Sequence, residues 1–170
     1  MYEDIKEGNI LYLDVETQYL ITEFEGGWKN FDNYRKIKIA ELGILQDGSY
    51  STYEEDNIKQ LAFDLASADL IVGHNIIKFD YAVLSHYFPK DIMNKVLIKS
   101  FDTMLEFSKY TKDGAGWVGL DDIASRNFGM KKTEDSIKIP EMWRKGEVEK
   151  VKAYLHNDLL MTEKFFLSGR

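Results

Sequence analysis

Four acidic residues in three short motifs hold the chemistry of this chain: Asp14 and Glu16 in LYLDVET, Asp80 in VGHNIIKFDY and Asp158 in YLHNDLL. A carboxylate at the end of an apolar run is costly unless something cationic meets it. Three such places in one chain of 170 residues point to a shared cation. The chain has no cysteine, which excludes disulfide staples and thiolate metal sites. Oxygen and imidazole remain as ligands, and a carboxylate-dominated set favours Mg²⁺ or Mn²⁺.

Each motif also has a plainer explanation. Asp14 and Glu16 are two residues apart at a strand end, so period-two geometry points both to one face. There they repel, and one tends to protonate unless a cation compensates. A solvated strand end would hold the same pair cheaply, and the preceding ILYL leaves the two readings level. Asp80 suits a helix start, which is structurally sufficient. Tyr154 and Asp158 are four residues apart on the last helix and share a face. The neighbouring stripe of Leu155, Leu159, Thr162 and Phe166 brings Asp158 to the border of the core. His74 reads as a structural hydrogen-bond partner and His156 as a surface residue. Lys131 and Lys132 read as a solvated basic pair, Trp117 and Trp143 as semi-buried aromatics, and Asp102 as a helix cap. Phe79 reads as a core residue that could shape a base-sized pocket. Thr17 divides evenly between a strand-end polar residue and a substrate contact, and Asn75 between backbone hydrogen bonding and substrate contact.

These residues need elements to position them. Asn9–Val15 reads as a buried strand, Lys36–Leu45 as a half-buried strand, and Gly48 marks a turn into a third. Thr17 to Lys36 reads as a loop or hairpin extension and the most mobile part of the chain. Glu54–Ser67 has a helical apolar face, Asp69–Gly73 is a short buried strand, and Asp80–Tyr87 a helix stopped near Pro89. Val96–Ile98 reads as a short strand. Asp102 caps a helix running to about Tyr110, LDDIASRNFG is a helix ended by Gly129, and the last helix spans Gly146 to Leu167. Strands with helices between and after them make an α/β layer architecture.

Length is that of one ordinary domain, so residues 1–170 are expected to form one. Hydrophobic content of 44% and charged content of 30% fit a globular chain. A net charge of −7 argues against broad electrostatic capture of duplex nucleic acid, though not against local grip on one strand end. The start, MYEDIKEGN, lacks the basic and apolar parts of a signal peptide, and no apolar run approaches the roughly 20 residues of a membrane span. Cytoplasmic residence and no membrane partner are the expectation.

The ordered set LDVET, HNIIKFD and YLHND resembles the three exonuclease motifs of the DEDD superfamily of 3′–5′ exonucleases. Tyr154 and Asp158 fit the Y-x-x-x-D spacing of its tyrosine branch, whereas the histidine branch needs a histidine where Ala153 stands. IVGHNIIKFDYAVL, SFDTMLEF, LDDIASRNFG and FFLSGR add to a likeness over nearly the whole chain. It is similar to the RNase H-like domains related to the proofreading domain of family B DNA polymerases. The resemblance implies an RNase H-like mixed sheet flanked by helices. It implies that Asp14, Glu16, Asp80 and Asp158 bind two divalent ions, Mg²⁺ or Mn²⁺, while Tyr154 orients the attacking water. Thr17, Asn75 and Phe79 are the expected substrate contacts. The substrate would be single-stranded DNA or RNA with a free 3′ end, releasing nucleoside monophosphates. The alternatives are a catalytically silent nucleic-acid-binding or accessory module of the same fold, and an endonuclease built on it.

Overall fold

The computed structural model describes residues 8–109 and 118–169; the expectations for Trp117 and for a helix end at Tyr110 lie outside them. Five strands form one mixed sheet: β1 (Ile10–Thr17), β2 (Ile39–Gln46), β3 (Ser49–Tyr53), β4 (Leu70–Gly73) and β5 (Ser100–Asp102). Their order is β3-β2-β1-β4-β5. β1 pairs antiparallel with β2 and parallel with β4, while β2–β3 is antiparallel and β4–β5 parallel. The meander followed by a parallel crossover is the RNase H-like arrangement expected from the sequence.

β1 sits at the centre, and its alternation sorts two cores. Leu11, Leu13 and Val15 pack with Ile58, Leu61, Val83 and Leu84 on one face of the sheet. Tyr12 joins Leu45, Val72, Leu159 and Phe166 on the other. Asp14 and Glu16 continue the Tyr12 side, as period two requires. That side is covered by the long helix Val148–Ser168, the eighth α-helix in chain order (α8). Its Val151, Tyr154, Leu155, Leu159 and Met161 are fully buried. Each such aliphatic side chain contributes about 1.5–3 kcal/mol through burial, so α8 is anchored along most of its length.

Gly43 sets how closely α8 approaches. It lies opposite Asp14 in the β1–β2 register. A Cβ there would stand 2.8 Å from Leu155 Cγ and 2.9 Å from Leu159 Cδ1. The missing side chain lets the helix descend onto the strands beside Asp14.

The remaining helices are α1 (Asn33–Lys36), α2 (Leu61–Ser67), α3 (Asp80–Leu84), α4 (Lys90–Ile98), α5 (Thr103–Ser108), α6 (Leu120–Phe128) and α7 (Ile139–Arg144). The cap expected at Asp102 is present: its side chain accepts from the N–H groups of Met104 and Leu105. Gly129 closes α6 at φ 66°, the left-handed geometry that suits glycine.

Four sequence expectations change. The helix expected from Glu54 begins only at Leu61, because Asn57 Oδ1 accepts from Glu54 N–H at 2.8 Å and a 3₁₀ turn, Ile58–Gln60, follows. Val96–Ile98 is the end of α4 rather than a strand, for Val96 alone of the three is buried while Leu97 and Ile98 face outward. The helix from Asp80 ends at Leu84 rather than Tyr87. The strand expected from Lys36 begins at Ile39, because Lys36 ends α1, and it is buried on both faces through Leu45 rather than half-buried. The segment after β1 takes the loop alternative, with 3₁₀ turns at Ile21–Glu23 and Gly27–Lys29 before α1. Its Asn33 is fully buried, and the amide donates to the carbonyls of Glu25 and Gly27 at 3.0 and 2.9 Å. Among the described residues no helix is long and apolar enough to cross a membrane.

Candidate metal centre

β1 delivers Asp14 and Glu16 from below and α8 delivers Asp158 from above. One carboxylate oxygen from each lies within 4.8 Å of the other two. Asp80, at the start of α3, lines the same cleft but stands outside that three-acid group. It lies close enough to Asp14 for the two charges to interact, while the nearby backbone N–H of Val15 favours its charged form. The cleft holds about 750 Å³.

Repulsion and burial are both visible in the acids' protonation. Burial, reinforced by Asp158 and opposed by Lys132, pushes Asp14 up to about 7. Burial, followed by Asp14 and Asp158, holds Glu16 well above the carboxylate range. Asp80 is raised by burial and then by Asp14. Asp158 is raised by burial although Lys132 pulls the other way. Oδ1 of Asp80 and Oδ1 of Asp158 are buried with no hydrogen-bond partner. Orphaned acidic oxygens beside a carboxylate cluster fit hard divalent cations, which take oxygen ligands.

Tyr154 lies one turn before Asp158 and is fully buried. Burial, then the charges of Glu16 and Asp158, push its phenol far above the ordinary range. It is therefore a neutral hydroxyl at the edge of an acidic site.

The sequence reading missed Lys132. It is no solvated lysine: its Nζ donates to Asp158 Oδ2 at 2.5 Å and to the Tyr154 hydroxyl at 2.7 Å. Burial alone would lower its pKa, but Asp158 and the two strand carboxylates overcome that and raise it. Lys131, by contrast, is exposed as expected. No pattern in the polar stretch after Gly129 marks this contact, which spans 26 residues. The hint was the charge arithmetic, since four acids in one place call for a nearby cation of the chain's own.

His74 is structural, as expected: Nδ1 pairs with Thr103 Oγ1 and Nε2 with the Val118 carbonyl, both at 2.9 Å. His156 is half-buried and stacks on Tyr50 with ring centroids 4.3 Å apart, rather than lying free at the surface. Thr17 donates its hydroxyl to the Tyr19 carbonyl at 2.9 Å and still lines the cleft. Asn75 has φ 62°, donates its N–H to Asp102 Oδ1 at 3.0 Å, and leaves its own Oδ1 buried without a partner. Asp102 thus fixes the turn after β4 as well as capping α5, since Ile77 N–H also donates to it. Phe79 borders both the core and the cleft. Trp143 packs, partly buried, beside Ile139, Val151 and Tyr154.

The sheet order and flanking helices define an α/β protein with an RNase H-like fold. Among solved structures the chain is similar to the family B DNA polymerase from the hyperthermophilic archaeon Pyrobaculum calidifontis. The TM-score is 0.64 at 16% sequence identity, over 91% of this chain and 23% of the polymerase. At that identity the likeness concerns the fold. No protein-family model matches the chain, and no curated protein matches it.

Proposed function

We propose that the chain is a metal-dependent 3′–5′ exonuclease of the DEDD superfamily's tyrosine branch, a single RNase H-like domain over residues 1–170 that acts in the cytoplasm. One observation carries the reading: carboxylate oxygens of Asp14, Glu16 and Asp158 within 4.8 Å of one another, directly beside the Tyr154 hydroxyl. Asp14, Glu16, Asp80 and Asp158 would hold two Mg²⁺ or Mn²⁺ ions. When bound, such a pair lowers the pKa of water and stabilises charge on a transferring phosphoryl group and its leaving oxygen.

The chain's own residues supply alignment. Phosphoryl transfer needs positioning and charge stabilisation more than covalent chemistry, and no serine or histidine nucleophile is required here. Tyr154 stays neutral and so orients a water by hydrogen bonding rather than removing its proton. Lys132 holds Tyr154 and Asp158 in register and adds positive charge where phosphate oxygens would lie. Thr17, Asn75 and Phe79 border the cleft where a 3′-terminal nucleotide of single-stranded DNA or RNA would rest.

Purified protein with Mn²⁺ or Mg²⁺ is expected to shorten a 5′-labelled single-stranded oligonucleotide from its 3′ end, releasing nucleoside monophosphates. Asp14→Ala and Asp158→Ala should each remove that activity, by about 100-fold or more if several kcal/mol of charge stabilisation are lost. Undiminished activity in either variant sinks the proposal. Cutting of a circular single strand would assign the site to an endonuclease.

A further inference from the structure

We propose that the indole of Trp28 is a stacking platform for a base of the bound single strand. The role deepens the nuclease reading and takes from it where the strand lies and that cations sit among the acids.

Trp28 is 56% exposed, yet the backbone beneath it is firmly built. Gly26 and Gly27 make the turn at φ 82° and 48°. The buried Asn33 amide holds the carbonyls of Glu25 and Gly27. Arg144 Nη1, from α7, donates to the Gln18 carbonyl at 2.6 Å and pairs with Glu23. The indole ring is braced by Phe79 at 5.9 Å and Tyr34 at 6.4 Å between centroids, and those two lie 6.2 Å apart. A triangle of rings fixes the indole while much of it stays open. Ordering such a ring against a ligand costs little, because it is already held.

Its surroundings select the ligand. Trp28 lines the same cleft as Asp14, Glu16 and Asp158. A molecule filling that cleft must therefore be anionic where cations would sit among the acids, and flat and apolar at the indole. A nucleotide unit meets both demands. The cleft, at about 750 Å³, is the size of a small-ligand site rather than a duplex channel. A chain of net charge −7 gains little from phosphate contacts alone, so base stacking has to supply much of the hold. Asn75, with its unpartnered Oδ1, stands in the same cleft for a donor on sugar or base.

The test is fluorescence anisotropy with a fluorescein-labelled oligothymidylate, Ca²⁺ replacing Mn²⁺, compared with the same strand carrying an abasic site at each position near the 3′ end. Trp28→Ala is expected to weaken binding of the intact strand about tenfold, within the range for one stacked base. Trp28→Phe, which keeps an aromatic face, should retain most of the affinity. One abasic position should weaken wild-type binding by a similar factor and leave Trp28→Ala unaffected. The salt dependence of binding should not change between the two proteins. Equal loss on intact and abasic strands, no loss in Trp28→Ala, or a wild-type protein that ignores oligothymidylate but takes up an apolar peptide would each overturn the platform. The two readings fail separately. Coupled binding without cutting leaves the platform standing and removes the nuclease, whereas cutting without coupling does the reverse.

Discussion

Lys132 Nζ lies 2.5 Å from Asp158 Oδ2, and 2.7 Å from the hydroxyl of Tyr154. The lysine is three-quarters buried and the aspartate nearly wholly so, with side-chain exposures of 23% and 5%. Among the described residues this ammonium is the cation paired with the acidic cluster. It meets that cluster from one side only, since Oδ1 of Asp158 remains without a partner.

Lys132→Ala should therefore destabilise the metal-free protein by about 2 kcal/mol, somewhat below the cost of breaking a fully buried pair because Asp158 can take up a proton. Mn²⁺ should return most of that loss by restoring positive charge. Urea melts with and without Mn²⁺ measure the difference. If the loss is the same in both, the lysine serves packing alone and the electrostatic account is wrong.

Glu41 tells a different story on the same face. It lies opposite Glu16 in the register, is fully buried, and neither carboxylate oxygen has a hydrogen-bond partner. Lys152 approaches to 3.7 Å while also facing Glu54 at 3.9 Å. Burial pushes Glu41 up to about 7, with Lys152 opposing and Glu54 and Glu149 adding to the rise. Its charge also raises the nearby phenol of Tyr50, where burial is the larger cause. A raised carboxylate binds its proton more tightly in the native state than in the unfolded chain. Its stabilising contribution is complete below the unfolded pKa of 4.5 and is lost as pH rises to about 7. Glu41→Gln should then leave stability near pH 4.5 almost unchanged and raise it by about 2 kcal/mol at pH 8. Thermal melts across that range decide it, and parallel curves for the two proteins would refute the assignment.

The strands and the last helix were legible because their signals are local. ILYL is a short apolar run closed by a charge, and α8 has a continuous apolar stripe. KIKIAELGIL was legible as a strand, but its alternation misled about burial, since Ile39–Leu45 is buried on both faces. That Asp158 borders the core was legible for the same reason, since the stripe at Leu155 and Leu159 marks the buried side of α8. Its meeting with Asp14 and Glu16 was implied only by the resemblance to the exonuclease motifs. Elements whose ends depend on one side chain were not legible. The Asn57 turn shortens α2, and outward-facing Leu97 and Ile98 imitate a strand at the end of α4. Lys132 was hidden for a further reason: its partner is 26 residues away, in a stretch with no periodicity. Trp28 escaped notice because its loop owes its order to a buried asparagine rather than to any apolar pattern.

Gly43 links the packing to the site. With a Cβ at 2.8 Å from Leu155 Cγ and 2.9 Å from Leu159 Cδ1, alanine there must push α8 outward or bend side chains from their rotamers. Overpacking of that kind costs about 1–3 kcal/mol. Because Tyr154 and Asp158 ride on the same helix, Gly43→Ala should weaken Mn²⁺ binding as well as lower the melting temperature. Calorimetric titration of Mn²⁺ into the folded variant separates the two effects. Full metal affinity in a destabilised protein would mean that α8 adjusts without moving its acids.

Tyr154→Phe is the sharpest substitution for the proposed chemistry, since it keeps the buried ring and deletes only the hydroxyl. The phenol is too buried among carboxylates to ionise near neutral pH, so its part is to donate and accept hydrogen bonds. Losing the bond from Lys132 should cost about 1 kcal/mol of stability. Lost positioning of the attacking water should lower kcat by about 10- to 100-fold, a range suited to one orienting contact. Mn²⁺ affinity should hold, because the four carboxylates are untouched, and KM for the oligonucleotide should change little. The pH dependence of kcat should keep its shape, since a group that never ionises cannot supply a limb of the profile. A variant whose kcat falls only because Mn²⁺ no longer binds would move Tyr154 from the reaction to the scaffold.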